Sequence, residues 1–227
     1  MENPGQIQAG PEAPTVFVID DDRSFLAGMK RFLTASGFKT ETFQCPREFL
    51  NKGDRACAGC VLADLQMPGL DGLELQEELA RSDDPLPVVF LTGQGDIPTS
   101  VSAMRGGAED FLTKLAPKEE ILAAIGRAFE RDELERAERR RKQDLLARFD
   151  RLTPREAEVL AHVLTGQLNK QIAGDLGIDE RSVKRHRTSF MAKIGVQSVA
   201  ELAQLAAVAR VTHHPSEAGT RVPQATF

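Results

Sequence analysis

In this sequence of 227 residues, four short segments each end in a side chain that can do chemistry. Val16-Phe17-Val18-Ile19 runs into Asp20-Asp21-Asp22, and Cys60-Val61-Leu62-Ala63 runs into Asp64. Val88-Val89-Phe90-Leu91 runs into Thr92, and Asp110 to Thr113 runs into Lys114. Continuous apolar runs of this length read as parallel strands covered on both faces. In an open parallel sheet the carboxyl ends of the strands line one crevice, where ligands bind. Asp20, Asp21 and Asp64 would converge there, and like charges repel strongly in a low dielectric. A divalent cation removes that cost. All-oxygen donors favour Mg²⁺, which keeps several waters and accepts one or two carboxylates plus phosphate oxygens. Lys114 adds an ammonium for an anion, and Thr92 adds a hydroxyl. Together these are the parts of a phosphoryl-transfer site: a carboxylate nucleophile, a metal, an ammonium and a hydroxyl. Singly, each residue has a plainer reading. Asp22 reads as a helix cap, and a lysine after a strand is usually a surface charge. The conjunction, in order and each at a strand end, is what points to a site.

The elements that must position these residues alternate. Phe25, Met29, Phe32 and Leu33 recur at helical spacing, with Gly37 as a stop. Thr40 to Phe43 has strand character, Leu73 to Leu79 is helical, and Ile97 to Met104 is a short helix. Strands alternating with helices over about 110 residues predict a doubly wound, five-stranded parallel α/β sheet. A helix starts at Pro117, with Ile121, Leu122, Ile125 and Phe129 on one stripe. Of the residues 130–144 that follow, 12 are charged. Asp132–Arg136, Glu135–Arg139 and Glu138–Lys142 are acid-to-base pairs at i,i+4, the favourable orientation. A solvated helical linker fits this pattern. A coiled-coil arm is the alternative, though Leu134 and Ala137 are the only apolar residues in the run and no heptad seam is sustained.

Beyond the linker the pattern is all helical. Thr153-Pro154-Arg155-Glu156 is a capping box with Pro at the first helical position. Val159, Leu160, Val163 and Leu164 face a core, and Gly166 ends that helix. Asn169 is read as the cap of a second helix reaching Leu176, and Gly177-Ile178-Asp179 as a tight turn. A third helix runs to about Lys193 and a fourth from Val199 to Val208. On the third, Val183, Phe190, Met191 and Ile194 share one face, and Arg181, Lys184, Arg185 and Thr188 fall largely on another. From Arg181 to Lys193 there are five basic residues and no acid. A cationic amphipathic helix behind a scaffold helix and a glycine turn fits a recognition helix in a DNA major groove. His186 reads as a packed residue rather than a switch.

Composition bounds the rest. With 41% hydrophobic and 28% charged residues the chain can bury a core, which excludes a wholly disordered or collagen-like protein. No apolar run approaches the roughly 18 residues of a membrane helix, and no hydrophobic stretch of the signal-peptide kind follows Met1, so a cytoplasmic protein is expected. Three cysteines are too few for a disulfide scaffold. Cys57 and Cys60 have redox-like spacing but no second pair, and Cys60 reads as a small buried hydrophobe. The net charge of −5 hides an asymmetry: −8 over residues 1–114, zero over 115–150 and +3 over 151–211.

The first half resembles the receiver domain of two-component response regulators. The similarity covers about Thr15 to Arg131. It rests on Val18-Ile19-Asp20-Asp21-Asp22, on Asp64-Leu65-Gln66-Met67-Pro68-Gly69 with Asp71-Gly72, on Leu91-Thr92-Gly93, and on Gly107-Ala108 through Phe111 to Lys114. The stretch from Thr92 through Gln94, Gly95 and Asp96 to Pro98 is similar to the FixJ branch. The resemblance implies that Asp64 accepts a phosphoryl group from a sensor histidine kinase. It implies that Asp20, Asp21 and Asp64 hold Mg²⁺ with the backbone carbonyl of Gln66. Thr92 would move toward the phosphoryl group, Phe111 would turn inward, and Lys114 would pair with the phosphate. The family places Pro directly after this lysine, joined by a cis bond, whereas Leu115 stands here. A cis bond before a non-proline residue costs roughly 2.5–4 kcal/mol. A trans Lys114–Leu115 bond and a locally re-routed loop are therefore expected, which puts the reach of Lys114 in question.

The segment Leu152 to about Leu205 resembles a LuxR-type helix-turn-helix domain. The matching residues are Leu152-Thr153-Pro154-Arg155-Glu156, Glu158-Val159-Leu160, Gly166, Asn169-Lys170-Gln171-Ile172-Ala173, Ser182-Val183-Lys184 with His186, and Lys193-Ile194-Gly195-Val196. By position, Lys184, Arg185 and Thr188 would face bases, with Arg181 on the same cationic helix. Thr153, Lys170, Ser182 and Arg187 would contact phosphates. The expected layout is a disordered start over 1–14, a receiver domain over 15–131, a helical linker over 132–147, a DNA-binding domain over 148–211 and a disordered tail over 212–227. The expected protein is a FixJ/NarL-type response regulator, not a turnover enzyme, that binds double-stranded DNA as a homodimer when phosphorylated. An activator role is expected, with RNA polymerase a candidate partner. Two rivals are a constitutive DNA-binding protein with a non-switching receiver and a Mg²⁺-dependent phosphohydrolase. The second lacks an evident general base near Asp64, and Gln66 stands where its motif has a second Asp.

Overall fold

The structure, a computed structural model, describes residues 13–52, 57–93 and 97–209, with only the backbone of Ile97. The disorder expected at the two ends, apart from residues 13 and 14, lies outside the described residues, and so does the 94–96 stretch. Two compact units meet in sequence between Arg136 and Ala137.

In the first unit the elements run β1 (Thr15–Ile19), α1 (Arg23–Ala35), β2 (Lys39–Phe43), α2 (Pro46–Leu50), β3 (Gly59–Asp64), α3 (Gly72–Ala80), β4 (Val88–Thr92), α4 (Ile97–Arg105) and β5 (Asp110–Thr113). The strands form one five-stranded sheet in the order β2-β1-β3-β4-β5, and every pairing is parallel. This is the doubly wound α/β sheet expected from the alternation.

The continuous apolar runs now have a physical explanation. Side chains alternate across a strand, so each run must supply both faces. Phe17, Ile19, Val61, Ala63 and Phe90 join Leu75, Leu79 and Ala103 of α3 and α4 in one core. Val16, Val18, Leu62, Val89 and Leu91 join Leu26, Met29 and Leu33 of α1 and Ile121, Ile125 and Ala128 in the other. Cys60 is fully buried in the second core, and burial pushes its thiol far up from the ordinary value. Asp22 caps α1 as expected, accepting from the backbone N–H groups of Ser24 and Phe25. The short helix α2, with Pro46 in its first turn and Phe49 fully buried, was not foreseen from the sequence.

The helix after Pro117 is α5 (Lys118–Asp150), whose first part belongs to the first unit and whose last part belongs to the second. The linker was expected to start at 132, yet Asp132 and Arg136 are buried. Asp132 accepts the Gly59 backbone N–H at 2.9 Å and pairs with Arg136 at 2.9 Å. Arg136 also donates to the Cys57 carbonyl at 2.6 Å. The pair therefore fastens this turn of helix to the start of β3, which is why the unit ends at Arg136.

The second unit contains the end of α5, then α6 (Pro154–Leu164), α7 (Asn169–Leu176), α8 (Glu180–Ile194) and α9 (Val199–Val208). Val159, Leu160, Val163, Ile172, Val183, Phe190, Ile194 and Leu202 form its core, with Phe149 from α5 packed against them. The capping box of Thr153 and Glu156 is formed. Gly177 ends α7 at φ +62°, a left-handed conformation that favours glycine. Asn169 is not the cap. It is the first residue of α7, Leu168 occupies the cap position, and the Gln171 side chain accepts the Leu168 N–H at 2.8 Å. Asn169 instead accepts from Arg187 of α8 at 2.7 Å.

The buried pair gives a stability prediction. Removing one partner leaves an uncompensated buried charge, so Asp132→Ala or Arg136→Met alone should cost about 3–5 kcal/mol. The double substitution should cost clearly less than the two losses added together. Urea denaturation of the four proteins measures both.

Candidate functional site

The sheet topology builds the first site. Chain order reverses between β1 and β3, so the crevice opens between their carboxyl ends. Asp20 follows β1 and Asp64 closes β3. Carboxylate oxygens of Asp20, Asp21 and Asp64 lie within 4.8 Å of one another. Asp20 is 1% exposed and Asp64 7%, while Asp21 is exposed to solvent. Lys114, which follows β5, closes the site. Its Nζ lies 2.6 Å from Asp20 Oδ2 and 2.7 Å from Asp64 Oδ2. The same ammonium sits 4.6 Å from the centre of the Phe25 ring.

Burial raises the Asp20 carboxyl above its ordinary value, against the opposing hydrogen bonds of Lys114 and the Asp22 N–H. For Lys114 burial works downward, but its bonds to Asp20 and Asp64 outweigh it and raise the ammonium. Three carboxyl groups against one ammonium leave the site short of positive charge. All the acidic donors are oxygens, and one of them faces water. That set fits a hard divalent cation such as Mg²⁺.

The supporting residues fall where the sequence placed them. Thr92 is buried at the end of β4. The ring of Phe111, on β5, is tilted against Phe90 with centroids 6.3 Å apart. The Gln66 N–H donates to Asp64 Oδ1 at 3.3 Å, so the backbone after the aspartate folds back over it. Gly72 is required for close approach: a Cβ there would meet the Asp64 carbonyl oxygen at 2.6 Å and the Phe90 ring at 2.9 Å. Beside the acids an open groove of about 630 Å³ is lined by Asp21, Gln66, Met67, Asp71 and Thr99 among others. Among the described residues no peptide bond is cis, so Lys114–Leu115 is trans as expected. The question over reach is answered by the two short contacts of Lys114. Leu115 itself is 92% exposed.

The second site is the outer face of α8. Arg181, Lys184, Arg185 and Thr188 are exposed, and Val183, Phe190 and Ile194 are buried on the opposite side. The exposed four are spaced i, i+3, i+4 and i+7, one face of a helix. The weaker candidates are placed differently. The Ser182 hydroxyl donates to Asp179, the cap of α8, at 2.7 Å. Arg187 is half-buried on Asn169. The Thr153 hydroxyl accepts the Glu156 N–H at 3.3 Å. Lys170 is exposed on the first turn of α7.

Glu156 has a role that the sequence reading missed. Beyond its capping bond it is buried and accepts from Lys193 at 2.6 Å and from the Ser189 hydroxyl at 2.6 Å. Those two bonds tie α8 to α6. With the Thr153 N–H they hold the Glu156 carboxyl down at about 2. The capping-box motif signals the first role; nothing in the spacing signals the second.

Comparisons with known proteins agree with this arrangement. Residues 16–126 match the response regulator receiver domain, and residues 150–206 match the bacterial regulatory proteins of the luxR family. Nodulation protein W of Bradyrhizobium diazoefficiens is 37% identical, over 94% of this chain and 93% of its own. The response regulator protein TodT of Pseudomonas putida is 36% identical over 85% of each chain. The transcriptional regulatory protein FixJ of B. diazoefficiens is 35% identical, over 84% of this chain and 93% of its own. Among solved structures, the response regulator StyR is similar with a TM-score of 0.73 at 43% identity, covering 86% of this chain and 98% of that one. Full-length FixJ from B. japonicum has a TM-score of 0.52 at 34% identity, covering 88% and 98%.

The depressed Glu156 carboxyl sets a pH dependence. A carboxylate bound more tightly in the folded state stabilises it fully above its unfolded value, here near 4.5, and that contribution fades as pH falls toward 2. Protection of α6 and α8 amides in native-state hydrogen exchange should therefore drop between pH about 4.5 and about 2. Glu156→Gln should lower protection at neutral pH and flatten that dependence.

Proposed function

The chain belongs to the two-component response regulators, uniting a receiver domain with a LuxR-type DNA-binding domain, and from that membership we propose that phosphoryl transfer to Asp64 controls its grip on DNA. The observation that supports this most is the bridging of Asp20 and Asp64 by one lysine at the mouth of the sheet. An Asp64 carboxylate oxygen takes the phosphoryl group from a phosphohistidine of a sensor histidine kinase. An acyl phosphate bond forms, the P–N bond breaks, and the imidazole nitrogen recovers a proton. Asp20, Asp21, Asp64 and the Gln66 backbone carbonyl would hold Mg²⁺, which supplies positive charge against the phosphoryl oxygens. Lys114 pairs with those oxygens. The open groove beside Asp21 and Gln66 leaves room for the donor side chain.

The switch runs outward from there. Thr92, buried at the end of β4, turns its hydroxyl toward the new phosphoryl group, and Phe111, already tilted against Phe90, turns further inward. These shifts alter the surface of α4 and favour a homodimer that sets two α8 helices on two half-sites. Lys184, Arg185 and Thr188 face bases, and Arg181 reinforces them; exposed Lys170 contacts a phosphate, and Thr153, Ser182 and Arg187 do so only by sharing or exchanging the bonds they make within the domain. The receiver domain is assigned to 15–136, since the buried Asp132–Arg136 pair belongs with it, the linker to 137–147 and the DNA-binding domain to 148–211. We assign an activator role, with RNA polymerase as partner, and a cytoplasmic place of action. Among the described residues no helix is long and apolar enough to cross a membrane. The relatives are regulators by name, which favours a switch over a turnover enzyme.

Two experiments test the reading. Incubation with a small phosphodonor and Mg²⁺ should give an acid-labile phosphate and a dimer. Asp64→Asn should abolish both with the fold intact. Unchanged DNA affinity and oligomeric state after phosphorylation would instead favour a constitutive DNA-binding protein. On operator DNA, Lys184→Ala and Arg185→Ala should each weaken binding by about 1–3 kcal/mol if they contact bases. Footprints unaltered by both would remove α8 from base reading.

A further inference from the structure

The charged linker does not divide as a neutral spacer. Residues 1–136 carry 14 Lys/Arg and 24 Asp/Glu, and residues 137–227 carry 15 and 10, so the units have net charges of −10 and +5. The acid-rich part of the linker falls with the receiver and the base-rich part with the DNA-binding unit. At the start of that second unit stands Arg139-Arg140-Arg141-Lys142.

Arg140, Arg141 and Lys142 are exposed, and among the described residues they make no ion pair. The Glu138–Lys142 pair expected from i,i+4 spacing is not closed, unlike Asp132–Arg136. Three exposed cations without ion-pair partners stand on successive helical positions, each turned about 100° from the last, so they concentrate positive charge around one turn of helix rather than on one face. Such a run lowers its own stability unless an outside anion neutralises it.

The run belongs to the positively charged unit that carries α8, and that charge favours one anion. Leu145 is buried and Phe149 packs on the helix-turn-helix core. Arg141 and Lys142 precede Leu145 by four and three residues and flank its face one turn back, while Arg140 lies on the far side of the helix, so the run offers cations around the helix rather than along one stripe. Two contacts fix the end of the helix to the recognition helix. Arg148 donates to the Ile194 carbonyl at the end of α8 at 3.2 Å, and Lys193 of α8 donates to the Arg151 carbonyl at 3.3 Å. Lys142 lies about 9 Å along the helix axis from Arg148 at 1.5 Å per residue.

We infer that Arg140, Arg141 and Lys142 form a second DNA-contacting element, an arm that binds backbone phosphates beside the half-site read by α8. The inference rests on the DNA-binding reading above and adds to it a sequence-independent contact made from the linker helix. Phosphate contacts position a protein on the duplex without reading sequence, and each one displaces a counterion.

The test is the salt dependence of binding by the full-length chain, treated with a phosphodonor, on operator and on random duplex. In R140Q/R141Q/K142Q the plot of log affinity against log salt should become shallower by about 2 to 3, close to 0.9 per lost contact. Affinity for the two duplexes should fall by a similar factor. R140K/R141K, which keeps the charge, should retain the wild-type slope, separating lost charge from lost helix. An unchanged slope in the triple Gln variant overturns the inference. Lys184→Ala and Arg185→Ala run in parallel keep the two readings apart. If they weaken operator binding while the Gln variant keeps its slope, the arm alone fails. If they do not, recognition by α8 has failed.

Discussion

One ammonium shared by two carboxylates governs the receiver. Asp20 and Asp64 arrive from different strands, and in a buried crevice their charges oppose each other. Lys114 Nζ stands between them, hydrogen-bonded to Asp64 at 2.7 Å and ion-paired with Asp20 at 2.6 Å, and so it ties together the ends of β1, β3 and β5. The arrangement is still short of positive charge, because Asp21 adds a third carboxylate. A site that is folded but electrostatically incomplete responds to added charge. Under the proposed phosphorylation, the new anion competes with Asp20 and Asp64 for the same three N–H donors of Lys114, so chemistry at one atom must redistribute contacts at three strand ends.

Much of this was legible in the sequence because parallel strands advertise themselves. A run buried on both faces has no polar residue to blur it, and the first charged residue after it marks the crevice. Leu115 raised a question that the sequence could not answer. The missing proline argued for a trans bond, and only the folded structure shows that a trans loop still delivers Lys114. The five-residue helix α2 is too short for a 3.6-residue pattern to emerge, and it went unseen. Asn169 illustrates a different gap. Its type suits a cap, but capping depends on backbone angles, and its side chain is engaged by Arg187 instead.

Long-range pairings were illegible for a simple reason: spacing reports only neighbours. Glu156 reads as one half of a capping box because Thr153 is three residues away. Lys193, 37 residues on, is equally its partner. The pairs of the linker look alike as i,i+4 repeats, yet Asp132–Arg136 is buried against the start of β3 while Glu138–Lys142 is open. Nothing in a charge pattern says which pair meets a sheet. The same blindness made the linker look neutral. Its halves carry opposite excesses, and the division at Arg136 assigns each excess to the unit of the same sign.

The second unit separates the work of folding from the work of contact. On α8, Arg187 is held by Asn169, Ser182 by Asp179, and Ser189 and Lys193 by Glu156. These bonds fix the rotation and height of the helix. The side chains left on its outer face, Arg181, Lys184, Arg185 and Thr188, are then presented in one orientation, as the proposed base reading would demand. Lys184 makes only a 3.4 Å contact with exposed Glu180, weak enough to exchange for a base or phosphate. A helix whose cations were all free would bind DNA without reading it, and one whose cations were all paired would not bind. Dividing them between an inner, bonded set and an outer, exposed set reconciles a rigid recognition surface with affinity for an anionic partner, even in a chain whose total charge is negative.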